Sequence, residues 1–363
     1  MYSGTDVKFD ENCNRLIFRE VGFIMKRYLI VKIGAIGDVI MSIPMIETIR
    51  RQNSDAHITW ICGKSAAAVL RPYPIEELII VDEQKLLAGS LAQKLCEILK
   101  IWIRLKLASY DVILTAHTDW RYRILSWWCR GKEKRAFSRQ GERSWPVPGR
   151  HHTDEYIRLV TNQELKVPFM VQCMPWIDLC ASRKDLQIDG LPRDGKKVII
   201  LAPGGAKNAL ADDACRRWPL LSYVALAKML VASSFRIVLI GAASDKWVRD
   251  SFSGVEVCDF IGKTKLEELL FLFACADAVV LHDSGPMHLA GLMNIPIFAL
   301  FGPTNPYEKV PLRDNVFIFW DVKRHPCVPC YDGKTYACCQ DNVCLKNIRP
   351  ERVYHQIKTV LQF

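Results

Sequence analysis

The stretch His282-Asp283-Ser284-Gly285-Pro286-Met287-His288-Leu289-Ala290 places an acid, a hydroxyl and two imidazoles around a glycine turn. The apolar run 278–281 just before it reads as the end of a strand, and 287–293 reads as a helix. A turn that glycine permits aims free backbone N–H groups and the positive end of a helix dipole at one point, which suits a phosphate. The chemistry it suggests is binding of a nucleotide or nucleotide-sugar. The same residues would also serve as an ordinary Asp/Ser cap on a buried helix, and both readings stand at this point.

Other loops of this kind recur along the chain. Val31-Lys32-Ile33-Gly34-Ala35-Ile36-Gly37-Asp38 runs from strand to helix, but Asp38 replaces the third glycine of the dinucleotide fingerprint, which argues against hydride transfer. Ala202-Pro203-Gly204-Gly205-Ala206 follows a second strand and leads on to Arg216-Arg217-Trp218-Pro219, so a close backbone approach and a cation occur together. Gly241-Ala242-Ala243-Ser244-Asp245 ends a strand with a carboxylate suited to a ribose diol, and Gly262-Lys263-Thr264-Lys265-Leu266 supplies a further loop. Loops at one sheet edge can line one nucleotide site.

The elements that would carry these loops alternate strand and helix, twice over. In the first half the pattern predicts strands at 28–33, 57–62, 78–81 and 112–115, with helices at 39–51 and 91–108. In the second it predicts strands at 197–202, 236–240 and 295–300, with helices at 219–231 and 265–275. Near-continuous apolar strands between amphipathic helices imply parallel sheets covered on both faces. The expected class is α/β, with two doubly wound halves and a ligand cleft at the carboxyl ends of the strands. We assign 25–180 and 195–350 to the two domains, 351–363 to a C-terminal helix, and the polar stretch 178–194 to the linker. Residues 1–24 read as an N-terminal extension, since Met25-Lys26-Arg27 directly precedes the first strong strand.

With 363 residues, half of them apolar, the chain has the length for two cores of ordinary size. It contains no apolar run long enough for a membrane span and no secretory leader, so a cytoplasmic location is expected. The net charge of +10 is concentrated in 120–152, where Arg121, Arg123, Arg130, Lys132, Lys134, Arg135, Arg139, Arg143 and Arg150 are interleaved with Trp127, Trp128 and Trp145. Such a surface favours polyanions (nucleic acid, anionic lipid or a phosphorylated glycan), although a charge run also forms on plain solvated faces. Upstream, Leu91, Leu95, Ile98, Leu99, Trp102 and Leu105 form a helical stripe expected to pack on the sheet. Ile101, Ile103 and Leu107 fall outside it and are available to a membrane interface.

Taken together, Gly37-Asp38, the Pro-Gly-Gly loop with its later basic residue and Trp218-Pro219, the Gly-Ala turn ending in Asp245, the Asp283–His288 motif and Phe301-Gly302-Pro303-Thr304 resemble family 9 glycosyltransferases. These are the ADP-heptose:lipopolysaccharide heptosyltransferases, and the resemblance runs from about Arg27 to the C-terminus. It implies a GT-B fold, two Rossmann-like domains facing across a cleft, with donor on the second and acceptor on the first. It also implies metal-independent transfer with inversion at the anomeric carbon, and no Asp-x-Asp motif is present.

Such a displacement needs a base for the acceptor hydroxyl and a way to stabilise the departing diphosphate. Asp38 is the candidate base; capping the helix that follows is its alternative role. By the resemblance, Gly204, Gly205, Arg216 (where a lysine is usual), Ser284, Gly285 and His288 surround the diphosphate. Asp245 takes the ribose, Thr264 lines the adenine pocket, and Asp283 lies near the transferred sugar. Lys32 lies beside the catalytic loop, within reach of donor phosphates or an acidic acceptor. His288 alone, opening an apolar helix, would also fit as a core histidine. Arg121 and Arg123 are the candidate acceptor contacts.

Of the 14 cysteines, several crowd the loop 325–345. Cys327, Cys330, Cys339 and Cys344 have metal-ligand character, so a structural zinc or iron stands beside free thiols as a reading; neither would take part in catalysis. The leading functional expectation is an inverting heptosyltransferase that uses an ADP-sugar and an acidic glycolipid acceptor, peripheral on the cytoplasmic face of the inner membrane and with no specific nucleic acid. One alternative keeps the fold but glycosylates a protein or another glycan from a different nucleotide-sugar. Another is a nucleic-acid-binding protein that uses the Arg/Trp segment 120–152.

Overall fold

Runs of buried Val, Ile and Leu build two all-parallel sheets, because strands covered on both faces leave no side for polar residues. The computed structural model describes residues 25–138, 147–163, 188–192, 194–206, 212–331, 335, 336, 339 and 341–363. The extension 1–24 and most of the expected linker lie outside the described residues.

The first sheet comprises β1 (Arg27–Val31), β2 (His57–Gly63), β3 (Glu77–Val81), β4 (Ser109–Thr115) and β5 (Arg130–Ala136), in the order β3-β2-β1-β4-β5. The second comprises β6 (Val198–Leu201), β7 (Arg236–Leu239), β8 (Val257–Asp259), β9 (Ala278–His282), β10 (Ile297–Phe301) and β11 (Val316–Trp320), in the order β11-β10-β9-β6-β7-β8. Strand order reverses beside β1 in one sheet and beside β6 in the other, so crevices open at the carboxyl ends of β1/β4 and β6/β9. Asp38, His117, Gly204 and Asp283 follow those four ends.

The halves meet through apolar helices. Val39 and Met41, on helix Ile36–Ser42, share a buried cluster with Met287 and Leu289 on helix Gly285–Ala290. Gly37 is required there, because a Cβ at that position would lie 2.5 Å from His288 Cδ2. Gly37→Ala gains up to about 1 kcal/mol of helix propensity but overpacks by about 1–3 kcal/mol. We therefore expect a lower Tm, read by calorimetry; a variant as stable as wild type would show that the two helices are not pressed together.

Three expectations are corrected by the structure. The single helix 39–51 divides into Ile36–Ser42 and Pro44–Gln52, with Pro44 opening the second. β5, β8 and β11 are strands that the pattern did not indicate; five of the seven residues of β5 are charged, and it is held by its pairing with β4. The expected C-terminal helix is present as Pro350–Leu361, and it buries Val353 and Ile357 in the core of the second sheet. The third concerns helix Leu91–Leu105: of the expected stripe Leu105 is buried and Ile98 and Trp102 are half-buried, but Leu91, Leu95 and Leu99 are exposed, while Glu97 and Ile101 are buried instead. Glu97 tolerates burial because its carboxylate accepts from Asp82 N–H at 3.3 Å and from Lys100 at 2.6 Å.

Candidate active site

A cavity of about 530 Å³ lies between the halves. The first half lines it with the loop 34–38, His117 and Tyr122; the second contributes Arg216, Asp283, Ser284, Gly285, His288 and Lys309.

Asp38 stands in the first turn of helix Ile36–Ser42 and makes no capping hydrogen bond; its Oδ2 faces Lys32 Nζ at 3.2 Å. The helix begins at Ala35 without side-chain help, so capping does not explain Asp38. Its side chain is 37% exposed, open to the cavity, whereas Lys32 is buried and lies over the Tyr156 ring at 5.4 Å. Burial opposes the carboxylate charge, but Lys32, with help from His152 and Lys309, holds Asp38 down at about 2. At neutral pH it is ionised and able to accept a proton.

Opposite Asp38, Asp283 is buried and accepts from Thr304 Oγ1 at 2.8 Å. Burial raises its pKa, yet Lys309, Arg216 and His288 hold the carboxyl well below the usual range. Arg216 lies 2.8 Å from Asp213 and 3.5 Å from Asp283, and its buried Nε has no hydrogen-bond partner among the described residues. Burial lowers His288 to about 4, so its imidazole is neutral at physiological pH. Ser284 donates to His282 O at 3.1 Å instead of capping helix Gly285–Ala290.

Gly204 and Gly205 are shaped by Asp245, whose oxygens accept from Gly205 N–H at 3.1 Å and Ala242 N–H at 2.8 Å. A Cβ on Gly204 would lie 2.5 Å from the Asp245 carboxyl carbon, and Gly205 has φ +83°. Asp245 is therefore buried beneath the loop, where it braces the backbone. Arg217 donates to Gly205 O at 2.8 Å and pairs with Asp212, so the second of the two adjacent arginines also shapes this loop.

Several expected site residues lie elsewhere. Thr264 lines a separate cavity with Phe260, Lys263 and Phe271. Arg121 is paired with Asp119 on the surface, and Arg123 donates to Phe137 O while lining a third cavity with Trp120 and Trp127. Lys132, Arg135 and Arg150 are likewise in ion pairs, with Asp111, Glu133 and Glu155; Arg139, Arg143 and Trp145 lie outside the described residues. Cys327 and Cys339 are exposed, Cys330 is half-buried and Cys344 is buried. Among the described residues, no group of three His, Cys, Asp or Glu side chains comes together to hold a metal.

The sequence reading missed Lys309, His117 and Tyr122. Lys309 follows the turn Pro306–Glu308 and lies 3.8 Å from Asp283 and 4.8 Å from the Tyr331 ring. In the sequence, only the nearby Phe301–Thr304 turn points toward it. His117 Nε2 accepts from Ile33 N–H at 3.1 Å and stacks on Tyr122 at 3.7 Å, so it anchors the start of the Asp38 loop. Burial, with Lys32 nearby, keeps its imidazole well below its ordinary pKa and neutral.

The chain has known relatives. The sequence model described as Glycosyltransferase family 9 (heptosyltransferase) matches residues 98–338. The chain belongs to glycosyltransferase family 9. The transferase is 25% identical to the lipopolysaccharide core heptosyltransferase OpsX of Haemophilus influenzae, over 80% of this chain and 84% of that one. It is 24% identical to lipooligosaccharide heptosyltransferase 2 of Campylobacter jejuni, over 90% and 96%. Its fold matches Escherichia coli heptosyltransferase WaaC with ADP-2-deoxy-2-fluoro heptose, at TM-score 0.67 and 18% identity, covering 92% of this transferase and 99% of WaaC. The expected GT-B architecture is the observed one.

Proposed function

We propose that this transferase moves heptose from ADP-heptose to a hydroxyl of a lipopolysaccharide core acceptor, with inversion at the anomeric carbon and Asp38 as general base. The observation that carries the reading is the shared cavity, with an ionised carboxylate on one wall and Arg216, Lys309 and neutral His288 on the other. The relatives' names supply the heptose and the lipopolysaccharide core.

The acceptor oxygen bonds to the anomeric carbon as the bond to the ADP oxygen breaks, and Asp38 takes the hydroxyl proton. A carboxylate is a weak base toward a resting alcohol, but the hydroxyl acidifies as it bonds to a cation-like sugar carbon. Arg216 and Lys309 meet the charge that grows on the diphosphate, and His288 offers an N–H. Lys32 keeps Asp38 ionised, and His117 holds its loop. The site would act at the cytoplasmic face of the inner membrane, where a lipid-anchored core acceptor is presented.

The test offers ADP-heptose, other ADP-sugars and core glycolipids to purified protein and weighs the products. The expected product is the acceptor heavier by one heptose, with the new linkage of opposite anomeric configuration to the donor. A product of retained configuration, or none from ADP-heptose where another donor reacts, overturns the reading.

A further inference from the structure

The transferase exposes an apolar face of one helix. On helix Leu91–Leu105 the outward residues Leu91, Leu95, Leu99 and Ile103 are 80%, 59%, 47% and 71% exposed, while Glu97 is buried. Spaced by four, they form one line roughly 18 Å long. Trp102 carries the surface sideways, edge-on to Trp127 at 6.4 Å and to Trp128 at 5.1 Å, and both partners are more than half exposed. Leu107, 81% exposed, extends it past the helix end. Trp127 also walls a cavity of about 610 Å³ whose rim carries Arg123, Lys134 and Arg135.

The charge around this patch is one-sided. Its acids are already matched: Glu97 by Lys100, Glu77 by Arg104 and Asp119 by Arg121. Lys106, Arg130 and Lys134 are exposed and make no ion pair among the described residues, which leaves the rim positive. A second copy of the chain on this face would bring two positive rims together, whereas an anionic bilayer would neutralise one. Leucines in a line, tryptophans beside them and unmatched cations are the chemistry of a surface that lies in a membrane interface. Among the described residues no helix is long and apolar enough to cross a membrane, so the contact is peripheral.

We propose that this face docks on an anionic lipid bilayer, the leucine line and Trp127/Trp128 entering the acyl boundary and Lys106, Arg130 and Lys134 meeting lipid phosphates. Flotation of the full chain with phosphatidylcholine vesicles, with and without phosphatidylglycerol, tests it. Wild type should bind the phosphatidylglycerol vesicles preferentially and release as salt rises. The triple variant Leu95→Gln, Leu99→Gln, Ile103→Gln should lose about tenfold or more in partitioning with Tm unchanged, since these side chains face water. Lys106→Glu with Arg130→Glu should lose a similar factor on the anionic vesicles alone. Equal wild-type binding to both vesicle types, full binding by the triple variant, or a wild-type dimer in sedimentation velocity that this variant dissolves, overturns the proposal. The measurement needs neither donor nor acceptor, so its failure leaves the sugar-transfer reading standing.

Discussion

Asp38→Asn lowers kcat by about 10²–10⁴-fold, the range of a lost general base, and leaves ADP affinity within about threefold of wild type. The amide nearly matches the carboxylate in shape and cannot take the proton. It also strands Lys32, a buried cation whose counter-charge lay at 3.2 Å, so Tm should fall as well; Asp38's partial exposure softens that loss. Calorimetric titration with ADP separates the two effects, and a variant that binds ADP and turns over at the wild-type rate would assign the base elsewhere. The pH profile offers a second check. Because the folded carboxyl titrates at about 2 against an ordinary 3.8, its stabilising interaction is complete above about pH 4 and is lost only as pH falls toward 2. Consequently kcat/KM should show no acid limb from Asp38 between about pH 5 and 7. Lys32→Met removes the main force that lowers this pKa while burial still raises it, so an acid limb should move up into the measurable range.

How much of this was legible in the sequence depended on whether an element's signal was local. β1, β6 and β9 are buried runs followed by loops that carry glycine or acid, so both the strands and those loops could be read directly, and Asp38, Arg216, Asp283, Ser284, Gly285 and His288 do meet in one cavity. β5, by contrast, reads Arg-Gly-Lys-Glu-Lys-Arg-Ala and has no apolar pattern; only its ladder to β4 makes it a strand. Helix Leu91–Leu105 carries apolar residues on two faces, and periodicity cannot say which one the sheet takes. The choice fell to long-range partners, Asp82 N–H for Glu97 and Ile124 O for the Trp102 indole at 2.8 Å. Lys309 comes from a short turn with no motif, and its place opposite Asp38 is fixed only by how the two halves pack.

Arg216→Ala should weaken ADP binding by about 10–100-fold and reduce kcat/KM at least as far, since a charge-assisted hydrogen bond contributes about 1.5–3 kcal/mol. The side chain is prepared for an anion. Asp213 and Asp283 fix the guanidinium from two sides, at 2.8 and 3.5 Å, and its buried Nε is left without a partner among the described residues. Neighbouring Arg217 cannot readily substitute, because it is tied to Gly205 O and Asp212 and lies over the Trp247 ring at 5.7 Å. Removing Arg216 also takes one counter-charge from Asp283, which retains Lys309 at 3.8 Å and Thr304. Loss of fold is therefore not the expected cause of a weakened site, and an unchanged unfolding midpoint without ligand would confirm this. Arg216→Lys keeps the charge but not the planar fork, so it should restore much of the ADP affinity and less of the rate if the fork matters chiefly as charge builds on the leaving diphosphate. If Arg216→Ala binds ADP and turns over as wild type does, the diphosphate is held by Lys309 and the backbone alone, and Arg216 serves only to neutralise Asp283.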